Sequence, residues 1–163
     1  MAVDGFLKLD GIKGESEDDA HKGEIDILDV HFALQQTGSG GYGGGSGTAK
    51  VDFHDISFTK RFDFSSPVLM GKCADGTHIA NGLVTLRKAA GTDNKPLDYL
   101  KIKMEDIIIS AVTPSGLGSG DGMEHLTLNF AKIVMDYTTQ TKTGGKGDNV
   151  SFGWDVKANK KIG

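Results

Sequence analysis

Alternating apolar and polar residues recur along most of the chain, in runs separated by glycine-rich breaks. Segments rich in Val, Ile, Thr and Phe predict strands over about 3–9, 24–35, 49–60, 79–89, 98–112, 124–140 and 149–157. Seven such strands predict a mainly β fold, a barrel or a sandwich. One segment departs from the alternation. Ser65-Ser66-Pro67 offers an N-cap followed by proline at the first helical position, Val68, Leu69 and Cys73 share a stripe, and Gly76 can close the end. A short helix over about 66–75 is predicted there, with its apolar side plugging one opening or flank of the barrel.

Several strands change phase midway. Ile25 and Ile27 give way to Leu28, Val30, Phe32 and Leu34; Leu100, Ile102 and Met104 give way to Ile107 and Ile109; Leu126, Leu128 and Phe130 give way to Ile133, Met135 and Tyr137. A phase change means either a β-bulge or a strand covered on different faces along its length. In the second reading the additional cover is another copy of the chain, which raises homo-oligomerisation from the pattern itself.

Glycine sharpens this picture. The chain has 163 residues, of which 24 are Gly and 3 are Pro. Residues 38–47 read GSGGYGGGSG, seven glycines in ten, too long for a tight hairpin turn. The tract is expected to be an arm between two strands, either a functionless loop or a reach to a neighbouring surface. The length fits one domain over 1–163 with a core that needs no staples.

Charge and chemistry mostly exclude. A formal charge of −4 argues against a polyanion-binding domain. The one cysteine, Cys73, can form neither an intrachain disulfide nor a cysteine-rich zinc site. The start, MAVDGFLKLD, lacks the basic and apolar regions of a signal peptide, and no run approaches a membrane span. Gly38-Ser39-Gly40-Gly41-Tyr42-Gly43 matches a dinucleotide fingerprint, but it is followed by a strand-like segment where a helix is required. Ser57-Phe58-Thr59-Lys60 and Lys142-Thr143-Gly144 match the SxxK and KTG elements of penicillin-recognising enzymes, again in the wrong context. His21, His31, His54, His78 and His125 stand singly, and the acidic run Glu15-Ser16-Glu17-Asp18-Asp19 lacks the ligand order of a calcium loop. No cofactor, no metal and no catalytic constellation is expected.

A resemblance supplies what chemistry does not. Phe6-Leu7-Lys8-Leu9, Gly11-Ile12-Lys13-Gly14-Glu15-Ser16, His21 and Glu24-Ile25-Asp26-Ile27-Leu28 resemble the hemolysin-coregulated protein (Hcp) family, the tube component of bacterial type VI secretion systems. The likeness continues in order through the glycine-rich arm, Phe58-Thr59-Lys60, Asp63, Ser66-Pro67, Leu69, Arg87-Lys88-Ala89, Tyr99-Leu100, Ile109-Ser110 and Leu126-Thr127-Leu128-Asn129-Phe130-Ala131, and ends at Gly153-Trp154-Asp155 and Asn159.

The resemblance implies a small β-barrel of two sheets with a flanking helix, assembled into hexameric rings that stack into a hollow tube. It implies synthesis in the bacterial cytoplasm and export by a contractile sheath. The implied partners are copies of itself, sheath and tip proteins and small effectors held in the lumen, with no nucleic acid and no membrane insertion. Strand edges near 100–110 and 124–137 are expected at ring contacts, and Gly38, Gly40, Gly41, Tyr42, Gly43, Gly44, Gly45 and Ser46 are expected to reach an adjacent subunit or ring. Asp29, His31 and Gln35, opposite the apolar side of their strand, are assigned to the lumen; the competing reading is bulk solvent outside. A phage-type tail tube protein or a monomeric β-sandwich binding module are the alternative functions.

Overall fold

The computed structural model describes residues 3–36, 50–89 and 95–163. Among these run β1 (Val3–Leu9), β2 (Ile25–Ile27), β3 (Asp29–His31), β4 (Leu34–Gln36), β5 (Val51–Phe53), β6 (Ile56–Arg61), α1 (Ser66–Asp75), β7 (Ile79–Lys88), β8 (Leu97–Ser115), β9 (Met123–Gln140), β10 (Lys146–Asp155) and β11 (Lys160–Lys161). The fold is mainly β with one helix, and the helix begins and ends where the sequence predicts. Gly76 closes it at φ 67°, a left-handed conformation that glycine adopts without strain. The Ser65 hydroxyl, expected as the cap, bonds instead to the Asp63 carboxylate.

The main sheet runs β2-β1-β7-β8-β9, and β9 is then shared, its first half pairing with β6 and its second with β10. β6 in turn pairs with β3. Two of the sheet's three ends, β2 and β3, are thus consecutive pieces of one segment, the third end being β11 beyond β10. They are joined through Leu28, whose N–H donates to the Thr59 carbonyl at 2.7 Å. The ladder is not closed into the expected barrel; the chain itself bridges the gap. β4 and β5 form a separate two-stranded sheet. The expected strands at 24–35 and 49–60 are therefore broken, because each segment serves more than one neighbour.

The phase changes have a cause inside one subunit. Ile79, Ile107 and Phe130 lie side by side facing the core, as do Gly82, Met104 and Ile133. Between these two rows each strand spends two residues instead of one. At this level Asp106 takes φ 53°, and its carboxylate receives His78 Nδ1 at 2.6 Å and Lys157 Nζ at 2.7 Å. A further register shift falls between Ile109 and Ala111. Both halves of β8 and β9 consequently face a single core, so the phase changes call for no second copy. Gly82 marks how tight the bend is: a Cβ there would stand 2.7 Å from Ile107 Cδ1 and 2.9 Å from Leu9 Cδ2.

Two charged networks tie the periphery to this core. Across β1 and β7, Arg87 reaches Asp18 in the loop after β1 at 2.5 Å and Asp4 at 3.2 Å, with its guanidinium 5.0 Å from the Phe6 ring centre. Phe6 stacks on His21 at 4.2 Å, so the acidic run expected to be a solvated loop is strapped to the outer face of the sheet. At the β6–α1 junction Lys60 is fully buried. Its ammonium donates to Asp63 Oδ1 and the Arg61 carbonyl at 2.9 Å and to Ser66 Oγ at 3.1 Å, and lies 3.6 Å from the buried Glu124 carboxylate. Among the described residues neither Glu124 oxygen has a hydrogen-bond partner.

Both networks are testable. Arg87 holds the Asp18 carboxyl at about 2, below its ordinary 3.8. A carboxyl depressed on folding contributes stability above its unfolded value and loses it as pH falls through the folded one. Asp18→Asn is expected to lower the urea midpoint at pH 6, with the difference shrinking as pH falls from about 4 to about 2. Lys60→Ala strands two carboxylates at the junction and is expected to cost about 3–5 kcal/mol in denaturant unfolding.

Candidate functional site

Strand register assembles one continuous polar surface. β3, β6, the first half of β9 and the second half of β8 lie side by side, and residues opposite one another in an antiparallel ladder share a face. One row across the four strands reads Asp29, Thr59, His125, Thr113; the next reads His31, Ser57, Thr127, Ala111. The opposite face carries Val30, Phe58, Leu126 and Val112 into the core. Ser110 Oγ and Thr127 Oγ1 bond at 2.7 Å, and Asn129 Nδ2 donates to Asp55 Oδ1 at 3.0 Å. The surface is therefore built of hydroxyls, two imidazoles and few formal charges.

The sheet carrying this surface is open on both sides. Among the described residues β3 has no ladder partner besides β6, and β8 beyond Ile107 none besides β9.

Asp29 and His31 are brought together on the polar face, both exposed. Gln35 is also exposed but belongs to β4, in the other sheet, opposite Asp52. On the supposed apolar side of the same segment, Val30 and Phe32 pack against the core while Leu28 and Leu34 stay about half exposed. Gly38, Gly40, Gly41, Tyr42, Gly43, Gly44, Gly45 and Ser46 lie outside the described residues. The chain on both sides of that tract is anchored by aromatic rings: Phe53 on β5 meets Phe130 at 6.2 Å and Phe152 and Trp154 at 6.5 Å, and Phe32, two residues before β4, meets Phe130 at 6.1 Å. Sequence reading missed Ser57, Thr59, Thr113, His125 and Thr127 as companions of Asp29 and His31. Their signal was the polar half of each alternation, but which strands stand side by side comes only from the fold.

Nothing on this surface has the geometry of a metal centre. Among the described residues no three His, Cys, Asp or Glu side chains converge on a point where an ion would sit, and no helix is long and apolar enough to cross a membrane.

Comparison with known proteins gives the surface its context. Residues 6–137 match the family described as type VI secretion system effector, Hcp. Protein hcp1 of Pseudomonas aeruginosa is 42% identical over 161 residues, 98% of each chain. The chain belongs to the Hcp family. The crystal structure of Hcp1 from Salmonella typhimurium superposes with a TM-score of 0.81 at 38% identity, covering 99% of this chain and all of that one. A solved type six secretion system protein reaches a TM-score of 0.90 at 25% identity, with 99% and 100% covered. The resemblance read from scattered short blocks thus extends over the whole Hcp fold, and the family's role is structural, as a component of the secretion tube.

The two faces of the four-stranded sheet should respond oppositely to substitution. His31→Ala and Thr127→Val, on the polar face, are expected to change unfolding free energy by no more than about 0.5 kcal/mol. Phe58→Ala and Leu126→Ala, on the face behind it, are expected to cost about 2–5 kcal/mol in the same urea titration.

Proposed function

We propose that this protein is the tube subunit of a type VI secretion system, six copies closing into a ring whose lumen is lined by the polar face of Asp29, His31, Ser57, Thr59, His125 and Thr127. The observation that carries the reading is a sheet with one face committed to the core, the other polar, and both edges open. Open edges allow a sheet to continue from copy to copy, and closure of a ring removes the aggregation hazard that two free edges pose to a monomer. Asp29 and His31 then meet cargo directly. Gln35 meets it from the base of the glycine-rich tract, whose residues 38–46 are assigned to contact with an adjacent subunit or ring on the family likeness and on the anchoring of the chain on either side by Phe32 and Phe53.

A lumen of hydroxyls and imidazoles binds weakly and broadly, which suits a conduit that holds small effectors in transit and then releases them. The rings stack into a tube, a sheath encloses it, a tip protein leads it, and the subunit leaves the cell with its cargo. The chain acts as a structural part and not as an enzyme.

Light-scattering mass with negative-stain imaging tests this reading. Six chains of 17.3 kDa give a particle of about 104 kDa with an open centre. A 17.3 kDa species at every concentration would overturn it. Asp29→Lys with His31→Glu should leave the ring mass intact while changing which effectors co-purify, and unchanged cargo would remove these two residues from the lumen.

A further inference from the structure

The end of the polar face nearest the β8–β9 hairpin holds a feature that the lumen does not use. Leu28, Phe62 and Leu117 line a groove of about 500 Å³ beside the hairpin residues Gly120, Asp121 and Gly122. These three side chains are 53%, 36% and 56% exposed, and Phe64, two residues on, is 62% exposed. Large apolar groups half out of water around one concavity mark a contact surface. Gly122 lets Leu117 lie across the groove floor: a Cβ on it would stand 2.4 Å from Leu117 Cδ2. The rim is acidic. Glu15, Asp26, Asp63 and Asp121 line it against the single cation Arg61. Asp63 is engaged by Lys60, but Glu15 and Asp121 have no ion-pair partner among the described residues. The Asp26 carboxyl is pushed up by burial and by the neighbouring charges of Asp63, Asp18 and Asp4, in keeping with a negative field there.

The opposite end of the β8–β9 ribbon presents the complement. There β9 turns into β10 through Thr141-Lys142-Thr143-Gly144-Gly145-Lys146. Lys142 and Lys146 are exposed and have no ion-pair partner among the described residues. Val150 behind them is 67% exposed. β10 is paired by β11 only at Trp154 and Asp155, so its outer edge from Lys146 to Phe152 has no ladder partner among the described residues.

We infer that the acidic, apolar groove of one subunit receives the Lys142–Lys146 turn of a second copy. The lysines meet Glu15 and Asp121, and their aliphatic stems with Val150 cover Leu28, Phe62 and Leu117. The two glycines keep the tip of the turn slim enough to enter. Groove and turn are different patches on one molecule, so the contact is heterologous and repeats from copy to copy, as a ring or a stack of rings requires. The inference rests on the tube reading and adds to it the residues through which copies meet.

Charge reversal with rescue tests it. Asp121→Lys and Lys142→Glu, both on the surface, are expected to leave the melting temperature unchanged and each to weaken association at least ten-fold, read by light scattering at low ionic strength. The double variant D121K/K142E restores the opposite charges and should return to within about three-fold of wild type. Loss of the 104 kDa particle would place the contact within the ring, and loss of longer assemblies alone would place it between rings; both support it. Single variants that associate within two-fold of an assembling wild type would overturn the inference, as would a double variant that fails to recover, since groove and turn would then have other occupants. A wild type that stays at 17.3 kDa would overturn the tube reading itself, and this contact with it.

Discussion

The length of the β8–β9 ribbon constrains everything else in this fold. β8 has 19 residues and β9 has 18, which would span about 60 Å if straight. A compact chain of this size has a radius of gyration of about 15 Å, hence a diameter near 40 Å. The ribbon must bend, and it does so where Asp106 turns to positive φ between Met104 and Ile107. Bending costs backbone strain, and the structure meets it with specific contacts. His78 and Lys157 converge on the Asp106 carboxylate from two other parts of the chain, and Lys157 followed by His78 holds that carboxyl below its ordinary value. Neighbouring strands bend at the same level, which is why Gly82 must leave room for Ile107 and Leu9.

From the bend follow two sheets' worth of surface from one hydrogen-bonded ladder. On one side of it, β9 pairs with β10 and the loop after β1 covers the outer face through Arg87. On the other side β9 pairs with β6, and the outward face is polar, with no element among the described residues laid over it. The junction where β6 hands over to α1 is held by Lys60, whose three ammonium protons all find oxygen acceptors in the residues that turn the chain into the helix. Desolvating an ammonium and two carboxylates is expensive relative to an apolar plug of the same shape. What such an arrangement gives in return is a defined turn: Asp63, Ser65 and Ser66 are fixed around one cation, and Leu69 enters the core at a set height. That turn also fixes the direction in which Phe62 and Phe64 leave the core.

Much of this was legible in the sequence, and the failures have physical reasons. The helix from 66 to 75 was readable because proline, a stripe and a terminal glycine are local signals. The long strands were readable because their alternation is strong. The break at Leu28 was not, since Ile27, Leu28 and Val30 remain apolar through it, and only the competition of β1 and β6 for one segment divides β2 from β3. The phase changes were read correctly as alternatives, and the bend in β8 and β9 together with the break at Leu28 account for them within one chain, so they lend no weight to oligomerisation. The burial of Lys60 and Glu124 was overlooked although a signal existed: each continues an inward alternation, Ile56-Phe58-Lys60 and Glu124-Leu126-Leu128, at which a charge must either be buried or break the register. Arg87 and Asp18 are 69 residues apart, and no local pattern joins them. The polar face stayed hidden for the same reason, because it is made by four strands drawn from four parts of the chain.

The chain is closely packed in its core and unfinished at its margins. Its open strand edges and its half-exposed Leu28, Phe62, Phe64, Leu117 and Val150 are liabilities for an isolated molecule. They cluster at sheet edges and ribbon ends, whereas the polar face between them has little apolar area. A lone monomer would be better served by the reverse distribution, with charges on its edges and no apolar groove. A subunit of a hollow assembly needs margins that attract copies and a central face that attracts nothing strongly. The same alternation of residues that builds each strand produces both, because the bend in β8 and β9 turns one half of the ribbon's outward face toward cover and leaves the other half bare.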